Sequence, residues 1–384
     1  MRDGQKLKSL EIYRGIAALM VVLFHYHFYM TEYLNKSPTM ARIFEGGHAG
    51  VEFFFVLSGF IIYLIHSKDI GDPDSARDFL RKRMIRILPL YWIVITVSLV
   101  SFLAHPGWGG SKGLTLHNVV FDYLLLPTGG NRILAPAWTL KAEALFYASF
   151  CIAIFRPAIG VAAFVVWQLA IVVSNAWAAL QGGNFDNPYV NYVFDIHNIG
   201  FGIGVACGWA CSAAWTLSAR RAQLLLALGL LGVLSVMAFE GVENLNFSNL
   251  QPFPERTLIS ISYTLSFALI IIASVRLEEI FKPAFDRRLV LFGASSYSLY
   301  LIHDPLVSFM DKAAARFRTL VDGHENALYL IEVCLAVAVA IAIHRFVEKP
   351  VTDSLKRIAR RGASGKTELK TDAPIRSLKC QQNL

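Results

Sequence analysis

Long apolar stretches recur along almost the whole chain, and short polar connections separate them. A helix that spans a membrane needs about 20 largely apolar residues. Ten stretches approach this length, at residues 12–30, 49–66, 84–104, 137–156, 158–180, 190–215, 222–239, 257–276, 290–309 and 327–347. The pattern predicts an all-α, polytopic membrane protein with about ten transmembrane helices. We expect one membrane domain over residues 1–350 and a basic, disordered tail over residues 351–384.

Composition supports this prediction, and the distribution of charge predicts how the protein is oriented in the membrane. Mean hydropathy is +0.48, with 55% hydrophobic and 17% charged residues, which is too apolar for a soluble protein of 384 residues. Cytoplasmic segments of membrane proteins carry an excess of Lys and Arg. When both termini are placed in the cytoplasm, 26 of the 36 Lys and Arg residues fall on that side, eight fall outside and two lie within helices. Because they are spread over short loops, the net charge of +8 indicates contact with anionic lipids and not a nucleic-acid groove.

Ionisable side chains inside a membrane are costly, so each one requires an explanation. Arg14 and His25 lie on one face of the first predicted helix, about 16 Å apart along its axis. His25 is a candidate general base, because histidine exchanges protons near neutral pH. The competing interpretation is a histidine that packs against a neighbouring helix. Glu143 in the fourth span needs Lys141, a histidine, or a bound proton that neutralises its charge. The ninth span carries His303-Asp304, with His303 at a depth comparable with that of His25.

Two further groups of residues have a structural and a functional interpretation. Arg83 and Arg86 lie on adjacent turns at the predicted cytoplasmic mouth of the third span, where arginines usually anchor a helix at the lipid headgroups. Arginine pairs also hold phosphate through forked hydrogen bonds, so an anionic ligand is the alternative. Ser58-Gly59-Phe60 interrupts the apolar second span, either for close packing or as a narrow substrate path. The five cysteines show no disulfide or zinc spacing, and we expect no metal site.

Six motifs in a fixed order together resemble the acyltransferase-3 family of bacterial membrane acyltransferases, which modify lipopolysaccharide, exopolysaccharide and other glycans. The likeness covers about residues 8–350. The motifs are Arg14 with His25, the segment Gly50-Val51 to Phe60, Arg83-x-x-Arg86 with Pro89, Trp138-Thr139-Leu140-x-x-Glu143-x-x-Phe146-Tyr147, Tyr297 to His303, and Glu348-Lys349-Pro350.

The resemblance implies a membrane acyltransferase domain over residues 1–350 of a multi-pass protein of the bacterial inner membrane. Acyl-CoA, most often acetyl-CoA, would be the donor substrate, with no permanently bound cofactor, and the acceptor would be a hydroxyl of a glycan or lipid-linked sugar. The resemblance reverses the anchoring interpretation, so Arg14, Arg83 and Arg86 are expected to bind acyl-CoA. It places Ser58, Gly59, Phe60 and Trp138 along the substrate path.

The expected chemistry is acyl transfer with His25 as the general base on the acceptor hydroxyl. Glu143 or Asp304 would orient its ring and stabilise its charged form, and His303 with Asp304 forms the second candidate for the base. An acyl-His intermediate is left open.

Two further expectations concern the family layout and the class of protein. Some family members carry an appended esterase-like domain, which we do not expect in the 34 residues after Pro350. The alternative function is a proton-coupled transporter or a glycolipid flippase, because buried His, Glu and Arg can line a proton path. Transporters often consist of two similar halves with interrupted helices, a repeat that this sequence does not show.

Overall fold

The computed structural model of the chain describes residues 7–105, 114–128, 132–181, 187–213, 217–242, 255–317 and 321–371. Over these ranges the chain is helical, with connecting turns and no strand. The α-helices are α1 (Lys8–Tyr29), α2 (Gly50–His66), α3 (Pro73–Ala104), α4 (Leu116–Tyr123), α5 (Ala137–Phe155), α6 (Pro157–Gln181), α7 (Pro188–Val193), α8 (Ile199–Ser212), α9 (Ala219–Val242), α10 (Glu255–Phe281), α11 (Arg287–Ala294), α12 (Ser296–Ala314), α13 (Glu325–Ile343) and α14 (Lys349–Thr371). The predicted all-α, polytopic membrane fold is confirmed.

Within the described ranges, eight helical segments are long and apolar enough to cross a membrane. They are Lys8–Leu34, Ile43–Asp69, Pro73–Ala104, Ala137–Phe155, Pro157–Ala178, Ala219–Val242, Glu255–Phe281 and Glu325–Ala359. The remaining two of the ten predicted spans correspond to α8 and α12. Helix α8 has only 14 residues, and α12 carries Asp304, Asp311 and Lys312 within its 19 residues.

Short-range features fix where several helices begin. Helix α3 follows Asp72, whose side chain accepts a hydrogen bond from the Asp74 backbone N–H, and Pro73 occupies the first turn. Helix α5 begins directly after Pro136. Glu348 connects α12 to the segment that follows α13. Its carboxylate accepts a hydrogen bond from Ser298 Oγ at 2.6 Å and lies 2.9 Å from His344 Nδ1. These contacts hold the end of the π-helical turn His344–Glu348 against α12.

Helices α2 and α8 pack backbone to backbone. A Cβ atom on Gly204 would lie 2.0 Å from the Val56 carbonyl oxygen, and one on Gly59 would lie 2.2 Å from the Phe201 carbonyl oxygen. Only glycine permits such an approach. Gly59 and the fully buried Phe60 therefore serve the contact between these two helices.

The segment that follows the last span is helical at first. Helix α14 continues to Thr371, into the range for which the sequence predicts a disordered tail. Residues 372–384 of that predicted tail lie outside the described residues.

Candidate active site

A cavity lies between α1, α2, α3, α5 and α12, and we call it the arginine cavity. Its walls bring together five residues that the sequence analysis selected, although they come from four different helices. The residues that line it include Arg14, Phe55, Ser58, Arg83, Arg86, Thr139, Glu143, Tyr147, Tyr297 and Tyr300. Three guanidinium groups in one cavity make it suitable for an anionic ligand.

Arg83 is the most enclosed of the three cations. Its side chain is 8% exposed, and its guanidinium carbon lies 5.6 Å from the Phe79 ring centroid and 5.8 Å from the Tyr147 ring centroid. Its Nε atom has no hydrogen-bond partner among the described residues. Buried polar groups are nearly always paired. Arg83 therefore keeps hydrogen-bonding capacity that a ligand in the cavity can use.

Glu143 has different partners from those that the sequence suggested. Its carboxylate accepts hydrogen bonds from Ser58 Oγ at 2.9 Å and from the Tyr147 hydroxyl. Lys141 is instead paired with Asp122 at 2.6 Å, and both side chains are buried. No hydrogen bond between described residues joins Glu143 to His25. Glu143 thus belongs to the arginine cavity, where it holds Ser58 and partly balances the positive charge.

His25 and His303 form a pair at the interface of α1 and α12. Their ring centroids are 5.0 Å apart, and the ring planes are tilted by 56°. His25 Nδ1 lies 2.9 Å from the Val21 carbonyl oxygen, and His303 Nδ1 lies 2.6 Å from the Tyr300 carbonyl oxygen. A carbonyl only accepts, so each Nδ1 carries the proton and each Nε2 is left as the basic nitrogen. Two histidines are therefore prepared to accept a proton at the same place.

No hydrogen bond or ion pair between described residues joins Asp304 to the His25 ring. Its carboxylate accepts a hydrogen bond from the Tyr29 hydroxyl, one turn beyond His25 on α1, and the Ala135 backbone N–H lies 3.5 Å from Oδ2. The contact with Tyr29 ties α12 to α1 and thereby fixes how His303 faces His25. Asp304 and Tyr29 also line an open, mostly apolar groove between α3, α12 and α13.

Tyr300 lies between the arginine cavity and the histidine pair, neither member of which lines the cavity. The Tyr300 side chain lines the cavity, and its hydroxyl lies 2.9 Å from Thr139 Oγ1. Its ring centroid is 5.6 Å from that of His303. Tyr300 is therefore the side chain that links the lining of the arginine cavity to the histidine pair.

Comparison with known proteins agrees with this arrangement. The model of an acyltransferase family, described as an acyltransferase domain, matches residues 7–345. The chain belongs to the acyltransferase-3 family. The exopolysaccharide production protein ExoZ of Rhizobium meliloti is 27% identical over 319 residues, which cover 80% of this chain and 90% of ExoZ. The O-acetyltransferase OatA of Staphylococcus aureus is 23% identical over 383 residues, which cover 91% of this chain and 58% of OatA. No solved structure matches.

The family and the spanning helices make the protein a multi-pass membrane O-acyltransferase. Among the described residues of this acyltransferase, no group of three His, Cys, Asp or Glu side chains could hold a metal ion.

Sequence reasoning missed a second group of buried polar residues in this acyltransferase. Glu52 on α2 is fully buried, and its Oε1 lies 3.3 Å from Nε2 of His197, whose Nδ1 lies 2.5 Å from Asp195. A carboxylate in an apolar span is the signal that selected Glu143, and it applied equally to Glu52. Trp138 lies beside this group, since its ring centroid is 5.2 Å from that of His197. Trp138 is therefore outside the arginine cavity.

Proposed function

We propose that this acyltransferase moves an acyl group, typically acetyl, from cytoplasmic acyl-CoA to a hydroxyl of a glycan or a lipid-linked sugar. The observation that carries the proposal is the adjacency of the three arginines to two histidines. The arginines and Tyr300 line one cavity, and the Tyr300 ring adjoins the pair formed by His303 and His25.

The donor occupies the arginine cavity in this proposal. Arg14, Arg83 and Arg86 bind the phosphate groups of CoA, because guanidinium forks match phosphate oxygens. The pantetheine arm then runs past Ser58 and Thr139 toward Tyr300, all of which line the same cavity. By helix rise, His25 lies about 16 Å beyond Arg14 along α1, which is a distance that the extended arm of CoA can cover.

The proposed chemistry is a direct transfer assisted by a general base. Nε2 of His25 takes the proton from the acceptor hydroxyl while the hydroxyl oxygen forms a bond to the thioester carbonyl carbon. The carbon–sulfur bond then breaks, and the departing thiolate takes the proton back from His25. His303, 5.0 Å from His25 between ring centroids, is the second base that can receive this proton. Tyr29 and Asp304 position the two rings through their contact between α1 and α12.

The acceptor approaches from the other side of the membrane. Asp304 and Tyr29 line the apolar groove between α3, α12 and α13, so in this proposal the lipid portion of an acceptor lies there while its sugar faces the histidines. We propose that the protein acts in the bacterial inner membrane with both termini in the cytoplasm, as the distribution of Lys and Arg predicts.

The test combines a gene deletion with a binding measurement. Surface and secreted glycans of the deletion strain are expected to lose a mass increment of one acyl group, and the wild-type gene should restore it. The purified protein in lipid nanodiscs is expected to bind acetyl-CoA with CoA as competitor. Unchanged glycan masses together with no acetyl-CoA binding would refute the proposal. Unchanged acyl content with a defect in glycan export would favour the transporter alternative.

A further inference from the structure

A second, polar cavity lies on the opposite side of α5 from the arginine cavity. Its walls come from α5, α6, α7, the segment between α7 and α8, the loop before α5 that carries Arg132, and Arg256 at the start of α10. Trp138, Lys141 and Ala142 of α5 face it, whereas Thr139, Leu140 and Glu143 face the arginine cavity. We call it the polar cavity. One helix therefore separates two cavities of different character.

Two side chains in the polar cavity have polar atoms that no described residue satisfies. Asn198 is 1% exposed, and its Nδ2 donates to the carbonyl oxygens of Tyr192 and Val193 at 3.0 and 3.2 Å. Its Oδ1 and the buried Tyr192 hydroxyl have no hydrogen-bond partner within the described ranges. Such atoms are rare in folded proteins and indicate a ligand or ordered water. The polar cavity is thus built to accept hydrogen bonds from, and donate them to, a polar molecule.

The aromatic and charged side chains of the polar cavity indicate which kind of molecule it binds. Trp138 and Tyr192 line the cavity, and aromatic rings with a polar edge pack well against the C–H face of a sugar ring. Lys141 is paired with Asp122 at 2.6 Å, and Asp195 with His197 at 2.5 Å. Arg132 also lines the cavity and forms no ion pair with a described residue. Its guanidinium can hold a carboxylate or a phosphate.

The polar cavity lies close to the proposed reaction centre. The segment that follows Arg132 leads to Ala135, whose backbone N–H is 3.5 Å from Asp304 Oδ2. Asp304 follows His303 in the chain. On the other flank, the Trp138 ring centroid is 6.1 Å from that of Phe55, which lines the arginine cavity. The walls of the polar cavity are therefore linked to Asp304 on one flank and to the lining of the arginine cavity on the other.

We infer that the polar cavity binds one sugar unit of the acceptor, that this unit bears an anionic group, and that Arg132 holds that group. The inference rests on the proposed function and adds the class of acceptor to it. The bound unit adjoins the sugar that receives the acyl group, so it sets which glycan and which hydroxyl are modified. The predicted topology agrees, because Arg132 belongs to an outside loop.

The experiment uses three variants in the strain that lacks the gene. Arg132→Ala removes the proposed anion contact, and Tyr192→Phe removes one hydroxyl that no described residue hydrogen-bonds. Arg316→Ala is the matched control, because Arg316 is exposed, lies in another predicted outside loop and does not line the cavity. Acyl content of the cell's own glycan is measured by mass spectrometry. Each purified variant is titrated with acetyl-CoA as a check on folding and on the donor site.

We expect Arg132→Ala to lower glycan acylation about 10- to 100-fold, since a hydrogen bond to a charged group is worth about 1.5–3 kcal/mol. Tyr192→Phe should lower it about threefold to tenfold, which corresponds to one neutral hydrogen bond. Arg316→Ala should match the wild type, and all three should keep their acetyl-CoA affinity within about twofold. Fragmentation of the acylated glycan should show a carboxylate or phosphate on a sugar next to the acylated unit.

Wild-type acylation by both Arg132→Ala and Tyr192→Phe would overturn the inference, as would an acylated unit with only neutral neighbours. Both of these results leave the proposed function intact. If even the wild-type gene restores no acyl group, the proposed function fails and the inference fails with it.

Discussion

Replacement of Arg83 by lysine tests the donor site most directly. The variant keeps the positive charge in the arginine cavity but loses the planar fork that lies between the rings of Phe79 and Tyr147. Nε of Arg83 has no hydrogen-bond partner among the described residues, so the removal of Nε breaks no hydrogen bond between described residues. We therefore expect the protein to fold normally and the loss to appear in acyl-CoA binding.

The magnitude follows from the contacts that a phosphate would lose. A hydrogen bond to a charged group contributes about 1.5–3 kcal/mol, and 1.4 kcal/mol corresponds to about a tenfold change in affinity. Lysine can keep one such bond, so Arg83→Lys should weaken acetyl-CoA binding about tenfold. Arg83→Ala should weaken it about 100-fold, because the charge is also lost.

Calorimetric titration in nanodiscs measures the acetyl-CoA affinity of each variant. A second ligand shows which phosphate group of CoA Arg83 holds. Acetyl-CoA that lacks the 3′-phosphate should bind wild type and Arg83→Lys equally well if Arg83 holds that phosphate. If Arg83 holds the pyrophosphate, the difference between the two proteins should persist. The control is Arg81→Lys, because Arg81 lies on the same helix, outside the cavity, and pairs with Asp78 at 2.8 Å. Affinities of Arg83→Lys and Arg83→Ala within twofold of the wild type would refute the assignment of the arginine cavity to CoA.

Four other predictions concern the chemistry, the packing and the topology. His25→Gln should lower acyl transfer about 10²–10⁴-fold with acetyl-CoA affinity unchanged; near-normal turnover would make His303 the base. Tyr29→Phe should lower kcat without changing acetyl-CoA affinity. An unchanged kcat would show that the contact between Tyr29 and Asp304 does not position the histidine rings. Gly204→Ala should lower the free energy of unfolding by about 1–3 kcal/mol, measured as a lower melting temperature. Gly241→Ala should leave the melting temperature unchanged, because nothing in the surrounding structure lies within 4 Å of its added Cβ. A reporter fused at Asn35 should report from outside and one fused at the C-terminus should report from the cytoplasm. The reverse pattern would contradict the predicted topology.

Local sequence properties predicted the all-α membrane fold and eight of the ten spans, and they selected candidate site residues whose roles stay predictions. A run of apolar residues has to be buried in lipid whatever surrounds it, so span positions follow from composition. The cost of an intramembrane charge likewise selected Arg14, Glu143 and Asp304. The structure then brings Arg14, Ser58, Arg83, Arg86 and Glu143 to one cavity.

The partners of these residues could not be predicted, because they depend on which helices are neighbours. Glu143 accepts from Ser58 of α2, and Asp304 accepts from Tyr29 of α1. Neither contact has a local pattern in the sequence, since the residues are far apart in the chain. Depth alone suggested that His25 and His303 could meet, and the packing of α1 against α12 brings their rings to 5.0 Å.

The short helix α8 has a consequence for the residues that precede it. Its 14 residues reach about 21 Å, whereas the hydrocarbon layer is about 30 Å thick. The rest of the layer on this flank falls to residues 194–198, which precede the first turn of α8 and include the 3₁₀ turn Ile196–Asn198. That first turn adjoins Asn198 and the floor of the polar cavity. Backbone that is not α-helical is tolerated at membrane depth only where protein buries it or water reaches it, so the polar cavity gives these residues of the acyltransferase an environment that satisfies their polar groups.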